Sequence, residues 1–354
     1  MKMLFNPSIQ SIGMPAKRVT GRLGRLDQFG SNPGKLDAWM FVPDQPAKPM
    51  GLVVVLHGCT QTAQGYDSGS GWSELAEAYG FALLFPEQRR SNNPNLCFNW
   101  FDRAHTRRGE GEVHSIAQMI DTVSAQHMID PERVFITGLS AGGAMTSAML
   151  ALYPEKFAGG AILAGLPHGA AGSVQEAFQQ MRAHTPANRT TGSAIQAASG
   201  HGGDWPSVSI WHGTADTVVH QSNADAILRQ WLEIHELPEV PSETGLVDSY
   251  PHRVWRNSSG KPLIEEYRVT GMGHGTPLST KGECGCGEAG AFMLEVGISS
   301  TVHSAKSWGL LEQRIAPVVH AEKMRPAETP QFPSHRSSIS DTIEAALRQA
   351  GLMK

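Results

Sequence analysis

Gly138-Leu139-Ser140-Ala141-Gly142 places a serine between two glycines, each two residues away. The residues before it, Val134-Phe135-Ile136-Thr137, are apolar and β-branched, and those after it, Ala141 to Tyr153, are small and apolar. This pattern predicts a strand, a sharp turn and a helix. A turn tight enough to expose the hydroxyl strains the backbone, and the glycines relieve the crowding. The helix N-terminus then offers free N–H groups to developing negative charge. The chemistry such a serine could do is nucleophilic attack on a carbonyl. A tight turn with a buried hydroxyl, as in a phosphate or nucleotide site, is the structural alternative.

A serine is a weak nucleophile at neutral pH and needs a base, which in turn needs an orienting acid. Both are sought downstream of Ser140. Ser209-Ile210-Trp211-His212-Gly213 reads as a strand ending in a glycine turn, and Asp216 follows in the loop. Asp225 falls in the next helix and Asp204 precedes the strand, so Asp216 is the expected acid. His274 lies in Gly271-Met272-Gly273-His274-Gly275, after a strand over Leu263 to Val269. Its order and glycine-flanked loop single it out among 15 histidines, ahead of His252 and His303. The two oxyanion donors should be the Ala141 N–H and an N–H after an early strand, for which Cys59 in Leu56-His57-Gly58-Cys59-Thr60-Gln61 is the candidate. His57 is read as a packing and loop-bonding residue. Trp100, Phe101, Trp205 and Trp308 are candidates to flank an acyl or hydroxyacyl chain, Trp205 foremost.

Alternating elements must position these residues. Apolar runs at Leu36 to Val42, Gly51 to Gly58, Phe81 to Phe85, Val134 to Gly138, Gly160 to Ala164, Ser207 to Gly213 and Leu263 to Val269 predict strands. Helical spacing appears at Trp72 to Tyr79, His114 to Met128, Ala141 to Tyr153 and Asn223 to Glu236. Continuously apolar strands alternating with helices predict an α/β fold with a mostly parallel, doubly covered sheet. Residues 167–206 are too long for an ordinary connection and predict a lid-like insert before the acid-bearing strand. Residues 1–35 read as an N-terminal extension, 36–315 as the catalytic domain, and 316–354 as a linker with a short amphipathic helix over Ile339 to Met353.

The chain has 354 residues, 40% of them apolar and 18% charged, with a net charge of −4. This balance excludes a strongly basic nucleic-acid binder. No run of 18 apolar residues predicts a membrane-spanning helix. The N-terminal residues lack the apolar core of a signal peptide, so a cytoplasmic location is expected; a chain with its leader removed would read the same, and that is the extracellular alternative. Of the 4 cysteines, Cys284 and Cys286 form a C-x-C, poor spacing for zinc. No metal or organic cofactor is expected. A Cys59–Cys97 disulfide is open to the chain and would point to an oxidising compartment.

LHGCTQ at 56–61, PEQ at 86–88, CFNWF at 97–101, ITGLSAGGAMT at 136–146, WHGTADTVV at 211–219 and GMGHG at 271–275 resemble the poly(3-hydroxybutyrate) depolymerase-type esterases, relatives of feruloyl and acetylxylan esterases. The resemblance spans roughly residues 35–310. It implies an α/β-hydrolase fold, with Ser140 as nucleophile, Asp216 as acid, His274 as base and Cys59 as an oxyanion donor. The expected function is a serine carboxylic-ester hydrolase acting on poly- or oligo(3-hydroxybutyrate)-type esters through an acyl-enzyme. A feruloyl or acetylxylan esterase is the second reading. A non-catalytic binding protein on the same fold is the third. The oligomeric state is not legible.

Overall fold

A computed structural model describes residues 21–47, 49–182, 191–282 and 284–312. The expected linker and helix at 316–354 lie outside these residues. Ten strands form one sheet: β1 (Gly24–Arg25), β2 (Asp37–Phe41), β3 (Met50–Leu56), β4 (Ala82–Glu87), β5 (Ile129–Leu139), β6 (Gly159–Leu163), β7 (Ser207–Gly213), β8 (Glu243–Val247), β9 (Tyr250–Arg256) and β10 (Pro262–Val269). Their spatial order is β1-β2-β4-β3-β5-β6-β7-β10-β9-β8. The block from β4 through β10 is parallel, and antiparallel strands extend both edges.

The helices are α1 (Ala63–Ser70), α2 (Trp72–Tyr79), α3 (Gly111–Gln126), α4 (Ala141–Leu152), α5 (Val174–Met181), α6 (Gly192–Ser199), α7 (Ser222–Ile234) and α8 (Ser300–Ser307). Strand β3 shows why its residues are apolar without a break. Leu52, Val54 and Leu56 point to the core shared with α3, α4 and α7, while Val53 and Val55 point to the core under α2 and α8. Successive side chains of a strand face opposite sides, so a sheet covered on both faces needs apolar residues at every position.

Two regions flanking the expected core take definite form. Residues 21–35 pack on the body in place of forming a separate extension: Leu23, Leu26 and Phe29 are buried and β1 pairs with β2. The 167–206 insert carries α5 and α6, both capped by side chains, Ser173 onto the Glu176 N–H and Thr191 onto the Ala194 N–H. The parallel strands fix a polarity. Leu139 of β5 pairs with Leu163 of β6, and Val269 of β10 with Gly213 of β7, so the loops after these strands gather at one sheet edge.

Candidate active site

Ser140 sits at that edge with φ 58° and ψ −116°, left-handed territory that a residue with a Cβ rarely occupies. Its N–H donates to Leu163 O at 2.9 Å, and its carbonyl accepts the Ala144 N–H at 2.8 Å, starting α4. The glycines on either side are sterically required. A Cβ on Gly138 would lie 2.5 Å from Gly142 O, and one on Gly142 would lie 2.5 Å from His57 O. The turn therefore lets α4 approach β3 at backbone contact and holds the hydroxyl out at the edge.

Asp216 is buried, and its Oδ2 accepts from His274 Nδ1 at 2.7 Å. Its Oδ1 accepts the Val218 and Val219 N–H groups, each at 2.9 Å. His212 stands on the other side, with Nε2 3.5 Å from Oδ2 while donating to Val219 O at 2.8 Å. Burial alone would raise the Asp216 pKa, but the His274 hydrogen bond and the neighbouring His212 imidazole overcome it and hold the carboxyl well below the usual range. The loops carrying Asp216 and His274 are stitched together: Ala215 N–H donates to Met272 O at 3.0 Å, and Gly271 N–H to Thr214 Oγ1 at 2.9 Å. Gly213 permits this, since a Cβ there would lie 2.7 Å from Gly273 O.

Ser140 and His274 line one small cleft of about 230 Å³ with Cys59, Gln61 and Phe292. Ser140, Ala141 and Cys59 also line a second, larger cavity of about 720 Å³. Cys59 is bonded to Cys97, which ties the loop after β3 to the loop after β4. The Thr60 N–H adds a bond to Asn95 O at 2.7 Å, and Gln61 Oε1 accepts the Gly58 N–H at 2.8 Å.

His57 lies beneath this loop, as a packing residue should. Nδ1 donates to Gly58 O at 2.8 Å and Nε2 accepts the Gln88 N–H at 3.1 Å. Burial lowers its pKa to about 4, against the upward pull of the Gly58 bond. The Gln88 side chain continues inward, donating to Cys97 O at 3.0 Å and to Glu112 Oε1 at 2.6 Å. Glu112 also accepts from Asn99 Nδ2 at 2.7 Å and from the Asn99 N–H at 2.8 Å.

The structure thus gathers Ser140, Asp216, His274, Cys59 and Ala141 at one edge. The rival carboxylates and imidazoles are engaged elsewhere: Asp225 with Arg268, His252 with Glu265, and His303 with Asp248. Trp100 and Phe101 line the larger cavity. Trp205 and Trp308 do not, and this corrects the sequence reading. Trp205 precedes β7 and packs edge-on against Trp231 of α7, with ring centroids 6.3 Å apart. Trp308 stacks on Phe135 at 4.8 Å and touches the site of Gly159, where β6 begins. Both lie toward the amino ends of the parallel strands, opposite the edge that carries Ser140. Sequence reasoning passed over His212, Gln88 and Glu112. His212 and Gln88 stand inside the quoted WHGTADTVV and PEQ motifs, while Glu112 had no local signal. It also passed over Phe178 and Met181, which stand with Val174 at helical spacing inside the insert.

A model of the family described as esterase PHB depolymerase matches residues 37–242. Poly(3-hydroxyalkanoate) depolymerase C of Paucimonas lemoignei is 42% identical over 294 residues, covering 82% of this chain and 70% of the relative. The chain belongs to the esterase PHB depolymerase family. An acetylxylan esterase of Coprinopsis cinerea is 32% identical over 276 residues, covering 75% of this chain and 73% of the relative. Among solved structures, the acetyl xylan esterase from Aspergillus awamori superimposes with a TM-score of 0.68 at 26% identity, covering 82% of this chain and all of the other. The esterase has the α/β-hydrolase fold and is a carboxylic-ester hydrolase. Among its described residues no helix is long and apolar enough to cross a membrane.

Proposed function

We propose that this esterase hydrolyses aliphatic hydroxyalkanoate esters, with Ser140 as nucleophile, His274 as general base and acid, and Asp216 as the orienting carboxylate. The observation that carries the assignment is the 2.7 Å bond from His274 Nδ1 to Asp216, made by an imidazole that shares a cleft with Ser140. The Asp216 bond fixes the ring so that Nε2 is free to take the Ser140 proton. Ser140 Oγ bonds to the ester carbonyl carbon, and the carbonyl oxygen becomes an oxyanion facing the Cys59 and Ala141 N–H groups. His274 returns the proton to the alcohol oxygen as its bond to carbon breaks. Water then repeats the sequence on the acyl-enzyme.

The apolar character of the larger cavity supports a hydroxyalkanoate substrate, as does likeness to a poly(3-hydroxyalkanoate) depolymerase. The likeness to acetylxylan esterases supports a second reading, in which acetyl groups are removed from a polysaccharide. Mass-spectrometric products from 3-hydroxybutyrate oligomers and from acetylated xylan separate the two. We propose that the catalytic unit, expected over 36–315, also takes in residues 21–35, whose Leu23, Leu26 and Phe29 are buried against it. The Cys59–Cys97 disulfide supports an oxidising compartment over the cytoplasm expected from the N-terminal residues. Ser140→Ala is expected to keep its melting temperature and lose p-nitrophenyl butyrate hydrolysis by at least about 10³-fold, along with fluorophosphonate labelling. Near-normal turnover in that variant would end the assignment.

A further inference from the structure

Two clefts meet at Ser140 and Cys59 and share no other lining residue. The smaller holds His274, Gln61 and Phe292. The larger, about 720 Å³, runs beneath α5, and no charged side chain is found among its described lining residues. Its wall on the α5 side is built by Val174, Phe178 and Met181. These residues recur at helical spacing, so one face of α5 supplies the wall. Val174, Phe178 and Met181 are only half-buried, although apolar, because they look into this space.

That wall is held firmly. Gln180, buried on the opposite side of α5, donates through Nε2 to Asn223 Oδ1 at 2.9 Å, and Asn223 Nδ2 donates back to Gln180 O at 3.1 Å. The His220 N–H donates to Met181 O at 2.8 Å. The end of α5 is thereby fixed to the loop that carries Asp216.

We propose that the two clefts divide the ester: the acyl chain lies in the cavity under α5, where Phe178 and Met181 set its length, and the alcohol leaves through the cleft of His274. This rests on the proposed roles of Ser140 and His274. The chemistry then imposes the division. The proton that His274 takes from Ser140 must be delivered to the alcohol oxygen as the carbon–oxygen bond breaks, so the alcohol lies on the His274 side. The acyl group, bonded to Ser140 Oγ, points into the remaining space. That space is mostly apolar and is the larger of the two clefts, with Trp100 and Phe101 on one side and α5 on the other. The substrate class is therefore an ester whose acyl part is an aliphatic or hydroxyaliphatic chain longer than acetyl.

The test is the ratio of kcat/KM for p-nitrophenyl octanoate to that for the acetate. Each methylene buried in an apolar cavity is worth about fourfold. Phe178→Trp and Val174→Phe, which fill the cavity from one face, are each expected to lower the ratio at least tenfold. Misfolding would lower both esters alike and leave the ratio in place. Phe292→Ala, in the other cleft, is expected to leave the acyl ratio within twofold while changing the preference among butyrate esters of different alcohols. An unchanged ratio in both cavity-filling variants, with wild-type melting temperature and acetate turnover retained, overturns the division, as does a Phe292→Ala effect on the acyl ratio equal to that at Phe178. A wild-type protein that cleaves none of these esters and takes no fluorophosphonate at Ser140 would instead overturn the proposed function, and the division with it.

Discussion

Two buried carboxylates near the site are driven in opposite directions by the same two forces, burial and hydrogen bonding. For Asp216 the hydrogen bonds win, and the group stays ionised far into acid. Its contribution to stability is present above the ordinary carboxylate pKa and is lost as pH falls below it. For Glu112 burial wins: three donors from Gln88 and Asn99 favour the carboxylate, yet desolvation raises its pKa to about 7. Asp67 is raised to about 6 by burial, against its bonds to Ser73. Between about pH 4.5 and 7 the folded protein holds a proton on Glu112 that the unfolded chain has released, so the contribution of Glu112 to stability falls as pH rises through that window. The loss at Glu112 is roughly 3 kcal/mol above pH 7. Urea unfolding at pH 5 and pH 8 isolates this contribution when wild type is compared with Glu112→Gln: buried His57, with its lowered pKa, adds stability as pH rises, so the wild type should lose more, or gain less, than the variant between the two pH values. An identical pH difference in wild type and Glu112→Gln would show that Glu112 does not titrate there.

At the scale of elements, the strand–turn–helix unit around Ser140 was legible because its constraints are local. Backbone crowding at Gly138 and Gly142 admits few other residues, and the apolar runs on either side show which element each belongs to. Gly142→Ala tests this: the added methyl meets the Leu56 and His57 carbonyls, which cannot yield like a side chain. It should cost about 1–3 kcal/mol in thermal unfolding and remove most ester hydrolysis. Gly245→Ala, in β8 with open space around it, should stay within about 0.5 kcal/mol. Equal effects would separate the glycine motif from the close packing of α4. The antiparallel β8 and β9 were hidden for the converse reason. They form an edge, β8 is exposed over Glu243 to Leu246, and Tyr250-Pro251-His252-Arg253 carries no apolar run. The α5 face was passed over although Val174, Phe178 and Met181 stand at helical spacing, because the helix is only 8 residues long and follows a stretch rich in Gly and Ala. Trp205 and Trp308 misled because proximity along the chain to a functional strand says nothing about which end of it a residue occupies.

Across the whole molecule, the loops at the active edge come from strands far apart in sequence, and something must hold them in register without a core of their own. On one side the Asp216 and His274 loops bond directly to each other. On the other, the Cys59–Cys97 disulfide, 38 residues apart, joins the loop that presents the Cys59 N–H to the loop that carries Trp100 and Phe101. Closing a loop of this length restricts the unfolded chain by up to about 4 kcal/mol. The bond should therefore act twice, on stability and on the geometry of the Cys59 N–H proposed as an oxyanion donor. Cys59→Ser combined with Cys97→Ser isolates it from the free thiols Cys284 and Cys286, which a reductant would leave in the same state as before. The double variant should lower the guanidinium midpoint and also kcat for p-nitrophenyl butyrate, even at temperatures where it remains folded, because the Cys59 N–H then depends only on the bonds of Thr60, Gln61 and His57. A lower midpoint with unchanged kcat would confine the disulfide to stability. An unchanged midpoint and unchanged kcat would mean that the buried Gln88–Glu112 network holds the two loops by itself.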